Sequence, residues 1–449
     1  MPRPPTDAGP PAAAGATSWL RWVYVVLTYL AVPFLLLHLF WRGFSVPGYR
    51  RRIAERFGFG MPRLARSAIW VHAVSVGEVQ AAAPLVRALL ARHPDVPLVL
   101  TTMTPTGSER VQALFGTAVV HSYVPYDLAA GVRRFFDWAR PSLAIIMETE
   151  LWPNLYHECG QRRVPLVLAS ARVSLRSVGR YQRLIPLFRD TLANGILIAA
   201  QTPGDAERFR SLGANPGRTH VTGNIKFDFE LPPDVISRGA ELRARQAGSR
   251  PVWIAASTHE GEEGPVLDAH QRILEQHPSA LLILVPRHPE RFAQVAALLD
   301  SRGIRHVRRS SGTLADPGTL VLLGDTMGEL TTFYGAADVA FVGGSLVRIG
   351  GHNLLEPAAL ALPVVTGLHN ENAADIAELL VDCGAALVVP DWAGLAAEVS
   401  WLLGDRAERH NRGMAGRQAI LANRGALDRL LALVDPLIDG APGSGARPD

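Results

Sequence analysis

The stretch AIWVHAVSVGEVQAAAPLVRALLARHPDVPLVLTTM (residues 68–103) decides the fold. It begins with a short apolar run (68–75), continues with apolar residues at helical spacing, and ends in a second apolar run (97–103). A strand, a helix and a further strand in this order predict a βαβ unit, with parallel strands and a helix on one face of the sheet. The predicted fold class is therefore α/β.

The same alternation recurs along the rest of the chain. Further apolar runs that predict strands occupy residues 143–148, 164–171, 196–201, 252–258, 280–288, 319–325, 339–344, 363–367 and 385–390. The alternation of predicted strands and helices is interrupted at residues 227–242, where Pro232 and Pro233 end any regular element. We therefore predict two Rossmann-like, doubly wound domains, residues 43–231 and 232–440, facing a cleft at the carboxyl ends of their strands.

The chain ends are predicted to lie outside these domains. Residues 1–17 are rich in Pro, Ala and Gly and are expected to form a disordered tail, and residues 441–449 are expected to form a loose tail. Residues 18–42 are interpreted as an N-terminal membrane anchor helix, because Val23 to Trp41 carry no formal charge and are just long enough to cross a bilayer.

Arginines at positions 42, 50, 51, 52 and 56 follow the apolar segment and predict that the body of the protein lies in the cytoplasm. Pro33 and His38 within the segment leave open a helix that lies in the membrane surface.

The composition restricts the function in other ways. A net charge of +4 is mild and does not indicate a nucleic-acid partner. Cys159 and Cys383 lie far apart and have no metal-type spacing, so a reducing compartment is expected rather than a disulfide framework.

Polar residues gather where the predicted strands of the first domain end. Glu78, in SVGE, opens a predicted helix and is either an acid that complements the helix dipole or a general base in a partly dry site. Glu148 and Glu150, in METELWP, follow an apolar strand, and only one of the two is expected to face a ligand. One capping acid and one solvated acid remain the alternative for this pair.

The second domain offers groups suited to an anion. Hydroxyls and acids open a helix at Ser257–Glu262, and Arg287 follows a strand and suits a phosphate or the edge of a base. His288 has no partner at metal-ligand spacing and is expected to be a hydrogen-bonded histidine.

The segment GGHNLLEP (350–357) is the most specific of these motifs. Its two glycines allow close approach of the backbone, and a helix that opens at Asn353 would offer free N–H groups to an anion. Glu356, one turn later, is placed to accept a hydrogen bond from a ribose hydroxyl.

Missing motifs exclude several enzyme classes. No G-x-G-x-x-G follows the first strand, which argues against a dinucleotide oxidoreductase. Lys226 is the only lysine in the chain, so no P-loop lysine motif is present. No D-x-D pair is evident, which agrees with metal-independent chemistry. Two similar α/β domains with a nucleotide-binding second half are features of a GT-B glycosyltransferase.

The motifs taken together resemble those of the 3-deoxy-D-manno-octulosonic acid (Kdo) transferases of lipopolysaccharide synthesis, glycosyltransferase family 30. The resemblance covers residues 19–430 and is carried by WVHAVSVGE, TTMTPTGSER, PYDL, METELWPNL, LASARVSLRS, GNIKFD, LVPRHPERF, DTMGEL and GGHNLLEP. This chain departs from the family pattern in its long Pro/Ala-rich N-terminal extension and in the replacement of nearly every lysine by arginine.

The resemblance implies a membrane-associated, inverting GT-B enzyme of the bacterial inner membrane, with its catalytic domains on the cytoplasmic side. Such an enzyme transfers Kdo from CMP-β-Kdo to a lipid A precursor (lipid IVA) and releases CMP, without a metal or another cofactor. Two alternatives stay open: another GT-B nucleotide-sugar enzyme, of the UDP-sugar 2-epimerase or lipid-A disaccharide synthase type, and a non-enzymatic membrane scaffold.

The resemblance also implies roles for individual residues. Glu78 corresponds to the general base, and Glu148 and Lys226 correspond to the pair that stabilises the transition state. The residues that match CMP-binding positions are Pro286, Arg287, Gly328, Glu329, Leu330, Asn353, Leu354, Leu355 and Glu356.

Overall fold

The computed structural model describes residues 16–173, 178–179 and 196–439. The chain divides into two compact units, unit 1 (Met1–Phe229 with Arg424–Asp449) and unit 2 (Glu230–Asn423). Each unit contains one parallel sheet of seven strands. The prediction of two α/β domains with parallel sheets is confirmed.

The sheet of unit 1 has the strand order β3-β2-β1-β4-β5-β6-β7. Its strands are β1 (Ile69–His72), β2 (Leu98–Thr102), β3 (Val120–Tyr123), β4 (Leu143–Met147), β5 (Leu166–Ala171), β6 (Ile196–Ala200) and β7 (Thr219–Val221). Its described helices are α1 (Ala16–Leu30), α2 (Val32–Ser45), α3 (Val76–Arg92), α4 (Pro105–Phe115), α5 (Ala129–Ala139), α6 (Pro153–Gln161), α7 (Pro203–Ser211) and α16 (Ala426–Asp439).

The five central strands of the unit 1 sheet are buried on both faces, as their apolar sequences require. Ile69 and Val71 of β1 pack into the core beneath α3, whereas Trp70 between them points to the opposite face. There its ring lies 4.7 Å from that of Phe135 and 5.7 Å from that of Phe136, both on α5. Two apolar layers therefore enclose the sheet, and polar side chains collect at the ends of the strands.

The sheet of unit 2 repeats this plan in the order β10-β11-β9-β8-β12-β13-β14. Its strands are β8 (Val252–Thr258), β9 (Leu281–Pro286), β10 (His306–Arg308), β11 (Val321–Leu323), β12 (Val339–Val342), β13 (Val364–Thr366) and β14 (Ala386–Val388). Its helices are α8 (Val235–Gln246), α9 (Glu263–Gln276), α10 (Phe292–Ser301), α11 (Leu330–Ala336), α12 (Leu355–Ala359), α13 (Ala374–Asp382), α14 (Trp392–Gly404) and α15 (Arg406–Asn423).

Helix α16 belongs to unit 1, although the sequence predicted a second domain that runs to residue 440. Leu430, Leu431 and Val434 are fully buried in the same core as α3. The Asp228 carboxylate accepts hydrogen bonds from the backbone N–H groups of Gly425 and Leu427, each at 2.6 Å. These bonds satisfy N–H groups at the start of α16 that have no partner within the helix.

The predicted anchor segment forms two helices rather than one. α1 and α2 meet at a 42° bend, close to Pro33 in the first turn of α2. Within the described residues no single helix is long and apolar enough to cross a membrane, whereas this bent pair meets both criteria together.

The anchor segment is also attached to the rest of unit 1. The Tyr24 hydroxyl donates to Asp127 Oδ2 at 2.8 Å, and the Tyr29 hydroxyl accepts from the Ala130 N–H at 3.1 Å. Its outer surface carries exposed aromatic side chains, of which Trp22 is 72% and Trp41 is 77% exposed.

We predict that Asp228→Ala lowers the free energy of unfolding of unit 1 by about 1–2 kcal/mol, because it removes the acceptor of two N–H groups at the start of α16. Urea unfolding of the full chain measures the change. Glu230→Ala, at an exposed acid nearby, is the matched control and should leave unfolding unchanged. Equal unfolding curves for the two variants would show that this contact does not hold α16 in place.

Candidate active site

The three candidate catalytic residues come together at the carboxyl edge of the unit 1 sheet. Glu78 lies in the first turn of α3, directly after β1, and Glu148 follows the last residue of β4. Lys226 lies in a single 3₁₀ turn, Ile225–Phe227, beyond the end of β7. The parallel arrangement explains the clustering, because the carboxyl ends of all the strands meet at one edge.

Glu148 is held in an unusual conformation between two cations. Its φ is +56°, in the left-handed region that costs energy for any residue with a Cβ atom. Its N–H donates to Ala169 O at 2.9 Å, which continues the sheet past the end of the strand. Glu148 Oε1 lies 3.1 Å from Lys226 Nζ, and Oε2 lies 3.2 Å from Arg172 Nε. The strained backbone thus directs the carboxylate into an ion-paired cluster.

Lys226 is positioned by the turn that precedes it. Gly223 has a φ of +96°, and the Asn224 side chain accepts a hydrogen bond from the Lys226 N–H at 3.0 Å. The Lys226 side chain is 20% exposed and the Glu148 side chain 18% exposed. A compact ammonium group therefore lies at a half-buried position where it meets one oxygen of one carboxylate.

Glu78 was interpreted from the sequence either as an acid that complements a helix dipole or as a general base in a partly dry site. The structure has features of both. Its Oε2 accepts from the Val74 N–H at 2.7 Å, and its Oε1 accepts from the Ser75 hydroxyl at 3.4 Å. Burial raises the pKa of Glu78 to about 7, against the lowering effect of the Val74 hydrogen bond. The negative charges of Glu148 and Glu150 contribute to this rise, whereas Lys226 opposes it. A carboxyl group with a pKa near neutrality is suited to general base catalysis.

Glu150 has different partners from Glu148. The sequence had predicted that only one of these two acids faces a ligand. Its Oε2 accepts from the Trp152 indole N–H at 2.7 Å, and burial raises the pKa of Glu150. Glu150 is therefore fixed against the Trp152 ring, and Glu148 is the acid that meets Lys226.

In unit 2, buried Glu262 organises the loops at the carboxyl ends of β8 and β12. Its side chain is fully buried and accepts four backbone N–H groups, from His259, Gly344, Ser345 and Leu346, at 2.7–3.1 Å. A Cβ atom on Gly343 would lie 2.9 Å from Glu262 Oε2 and 2.8 Å from Ser257 O. The glycines of this loop therefore allow the backbone to wrap around the carboxylate.

The predicted CMP-binding residues gather around the same edge of the unit 2 sheet. Pro286 ends β9, and the N–H of Arg287 donates to Thr258 O at 2.9 Å. Burial raises the pKa of Glu356, and a hydrogen bond from Asn353 and the charge of Arg287 oppose this rise. Glu356 and Arg287 are thus electrostatic neighbours.

In the segment from Asn353 to Glu356 the two polar side chains bond to each other and the two leucine side chains are buried. Asn353 Nδ2 donates to Glu356 Oε1 at 3.1 Å, and Asn353 Oδ1 accepts from the Leu355 N–H at 3.1 Å. Leu354 and Leu355 are both buried, so their side chains pack in the core. Any contact of these two leucines with a nucleotide would have to come from their backbone groups.

The segment Gly328–Leu330 also lies at a strand-to-helix turn. Gly328 has a φ of +78°, and Leu330 is the first residue of α11. Glu329 is bound by the Arg309 guanidinium, with N···O distances of 2.8 and 3.1 Å, and these hydrogen bonds lower the pKa of Glu329. The carboxylate of Glu329 is thus already engaged, which leaves the backbone of the turn to meet a ligand.

Two features of these sites were not predicted from the sequence. Arg172, which binds Glu148, is one of 44 arginines, although its position directly after β5 could have marked it. His259 and His352 place their Nε2 atoms 2.7 Å apart across 93 residues of sequence. His259 directly follows β8, whereas His352 lies in the loop between β12 and α12, so the sequence carried no signal that the two meet.

Comparisons with known proteins point to one family. A family model described as 3-Deoxy-D-manno-octulosonic-acid transferase (kdotransferase) matches residues 51–229. A 3-deoxy-D-manno-octulosonic acid transferase from Haemophilus influenzae is 43% identical over 93% of this chain and 99% of its own length. One from Bordetella pertussis is 40% identical over 84% of this chain and 89% of its own length.

Solved structures identify the fold. UDP-GlcNAc 2-epimerase from Neisseria meningitidis superposes with a TM-score of 0.51 over 83% of this chain and 100% of that chain, at 14% identity. Such a likeness supports the GT-B fold and does not separate a transferase from an epimerase.

The sequence relatives distinguish these enzyme classes. They set aside both the other GT-B nucleotide-sugar enzymes, of the 2-epimerase or lipid-A disaccharide synthase type, and the non-enzymatic scaffold. With close relatives along nearly its whole length, the chain belongs to the 3-deoxy-D-manno-octulosonic acid transferase family and is a glycosyltransferase.

Proposed function

We propose that this enzyme transfers Kdo from CMP-β-Kdo to a lipid A precursor such as lipid IVA, with inversion at the anomeric carbon and release of CMP. The observation that carries the proposal is the arrangement of Glu78 beside the Glu148–Lys226 pair, in a chain of this family. A single displacement needs one base to take the acceptor's proton, and Glu78 combines a pKa of about 7 with hydrogen bonds that orient its carboxylate.

Lys226 and Glu148 are proposed to stabilise the transition state. The anomeric carbon of Kdo bears a carboxylate, so charge is present close to the reacting bond. The cluster of Lys226, Arg172 and Glu148 carries two positive charges and one negative charge, and Glu148 contacts both cations. Preorganised charges of this kind stabilise a transition state without further rearrangement.

Unit 2 is proposed to hold the CMP moiety. Arg287 supplies a guanidinium for the phosphate, and Glu356 supplies an acceptor for a ribose hydroxyl. Pro286, Gly328, Glu329, Leu330, Asn353, Leu354 and Leu355 are proposed as the remaining contacts, largely through their backbone. We propose that no metal or other cofactor takes part, since arginine and backbone N–H groups can neutralise the departing phosphate.

Membrane association is proposed for the segment α1–α2. Its surface carries exposed side chains that suit a lipid interface, among them Trp22, Phe34 and Trp41. Exposed Arg50 and Arg51 follow directly, and cations attract anionic headgroups. We place the catalytic units on the cytoplasmic side of the bacterial inner membrane, where an anionic glycolipid acceptor would be within reach.

Product analysis tests the function and the base together. The full chain is incubated with CMP-Kdo and a tetra-acylated lipid A precursor, with and without EDTA, and the glycolipid is examined by mass spectrometry. We expect addition of Kdo in both conditions. Glu78→Gln keeps the acceptor for the Val74 N–H but cannot take a proton, so transfer should fall by about 10²–10⁴-fold.

Glu109→Gln, at an exposed acid on α4, is the matched control and should transfer at the unchanged rate. A Glu78→Gln enzyme that transfers as fast as this control would remove Glu78 from the mechanism. Absence of Kdo transfer by the unaltered chain would contradict the proposed donor or acceptor.

The pKa of Glu78 predicts a pH dependence. The base is active when deprotonated, so kcat/KM should fall about tenfold per pH unit below about pH 7 and level off above it. Glu150→Gln removes one neighbouring negative charge and should move this acidic limb to lower pH while leaving the plateau rate within a few-fold. A limb that stays in place would mean that another group controls the profile.

Lys226→Arg tests whether the compact ammonium is required. Arginine keeps the charge and can still pair with Glu148, but its planar fork cannot occupy the position of Nζ. We expect at least a tenfold loss of kcat with unchanged thermal unfolding. Arg66→Lys, at an exposed cation ahead of β1, controls for exchange of the two residue types and should have no effect. Wild-type turnover by Lys226→Arg would show that charge alone suffices.

A further inference from the structure

Two histidines meet tip to tip at the carboxyl edge of the unit 2 sheet. The Nε2 atoms of His259 and His352 are 2.7 Å apart, whereas their ring centroids are 5.0 Å apart and the ring planes differ by 9°. The rings therefore lie nearly in one plane and face each other through their Nε2 atoms. Such a contact holds a single proton, because one nitrogen must donate and the other must accept.

The loops on either side are built to hold this contact. The N–H of His259 donates to buried Glu262 at 2.9 Å. Gly344 has a φ of +70°, and a Cβ atom there would lie 2.9–3.0 Å from the imidazole of His352. Both histidines remain partly exposed, so the pair is within reach of a ligand.

Groups of both charge signs surround the pair. His288 packs edge-on against His259 with ring centroids 5.2 Å apart. The charged and titratable groups that act on the two imidazoles are Arg287, His288, Arg291 and Glu262. Glu262 is engaged by four backbone N–H groups, and Arg291 is paired with Glu263 at 3.1 Å and with Glu260 at 3.4 Å. Arg287 is therefore the charged neighbour that favours an anion.

We propose that the His259–His352 pair is a phosphate-binding element that shares one proton when empty and takes up a second proton from solvent when the donor's phosphate binds. With two protons the Nε2 contact cannot persist, and each ring then offers an N–H to a phosphate oxygen. This inference rests on the proposed function, because it assigns the anion to the nucleotide of the donor.

The charge of the leaving group changes in a way that the His259–His352 pair can offset. The phosphate of CMP-Kdo is a diester with one negative charge, whereas that of CMP is a monoester whose second ionisation has a pKa of about 6. Departure of CMP therefore adds negative charge to the phosphate. A histidine pair that gains a proton can offset this charge, in addition to the fixed charge of Arg287.

The empty pair is disposed to stay uncharged. Burial, together with the neighbouring His259, Arg287 and His288, lowers the pKa of His352 to about 4. Burial also lowers the pKa of His259. A bound phosphate raises these pKa values, so binding and proton uptake reinforce each other. CMP should bind more tightly as the pH falls from the pKa of the bound pair towards that of the empty pair.

Calorimetry tests the proposal with the full chain in buffers of different ionisation enthalpy at pH 7. CMP should bind with uptake of between one half and one proton, and its Kd should rise by up to tenfold per pH unit above pH 7. Cytidine, which lacks the phosphate, should bind more weakly and without proton uptake. Inorganic phosphate alone should bind more weakly than CMP.

The variants His259→Gln and His352→Gln should each abolish proton uptake and weaken CMP binding by about tenfold or more, with cytidine binding unchanged. His410→Gln, at an exposed histidine of α15, is the matched control and should behave as the unaltered chain. Thermal unfolding checks that each variant is folded.

The outcomes separate this inference from the proposed function. CMP binding without proton uptake, or with the same affinity and uptake in both pair variants, would overturn the inference and leave the donor assignment standing. Proton uptake with inorganic phosphate but not with CMP would show an anion site unrelated to the donor. Failure of the unaltered chain to bind either CMP or CMP-Kdo would refute the proposed donor itself, and the inference with it.

Discussion

The burial of parallel strands on both faces is the constraint on which the rest of this structure depends. A sheet enclosed by helices has no room for charge along its strands, so polar groups are confined to the strand ends. The backbone is irregular close to several of these strand ends. Ser170 in β5 and Ser257 in β8 both have a φ near +55°, and the pairing register shifts at each of them. Such bulges redirect the chain beside a site, as the left-handed Glu148 does after β4.

Much of the fold could be predicted because its central strands are continuous apolar runs. The short strands β3, β7 and β10 were not predicted; each lies at an edge of its sheet and is only partly buried, so it lacks such a run. The assignment of α16 also differed. The sequence of an amphipathic helix shows which of its faces is buried, but not against which sheet. The Asp228 contact that attaches α16 joins residues far apart in the chain, so the sequence could not reveal it either.

The sequence predicted which residues form the candidate site better than it predicted their chemical properties. Glu78 and Glu148 stood at predicted strand ends, and Lys226 stood out as the only lysine in the sequence. The structure brings the three together. What the sequence could not provide was the extent of burial, which sets the pKa of Glu78, and the choice of partners. Arg172 was hidden among many arginines, and His259 was interpreted as part of a helix opening rather than as one half of a pair with His352.

The attachment of α16 to unit 1 has a consequence for the order in which the protein forms. The chain leaves unit 1 after residue 229 and returns at residue 424, so unit 2 is an insertion within it. During synthesis the sheet of unit 1 emerges first, yet Leu430, Leu431 and Val434, which complete its core, are translated only after all of unit 2. The core of unit 1 therefore stays incomplete during translation, and part of its apolar surface stays exposed until α16 has been synthesised. By then every core residue of unit 2 is already present.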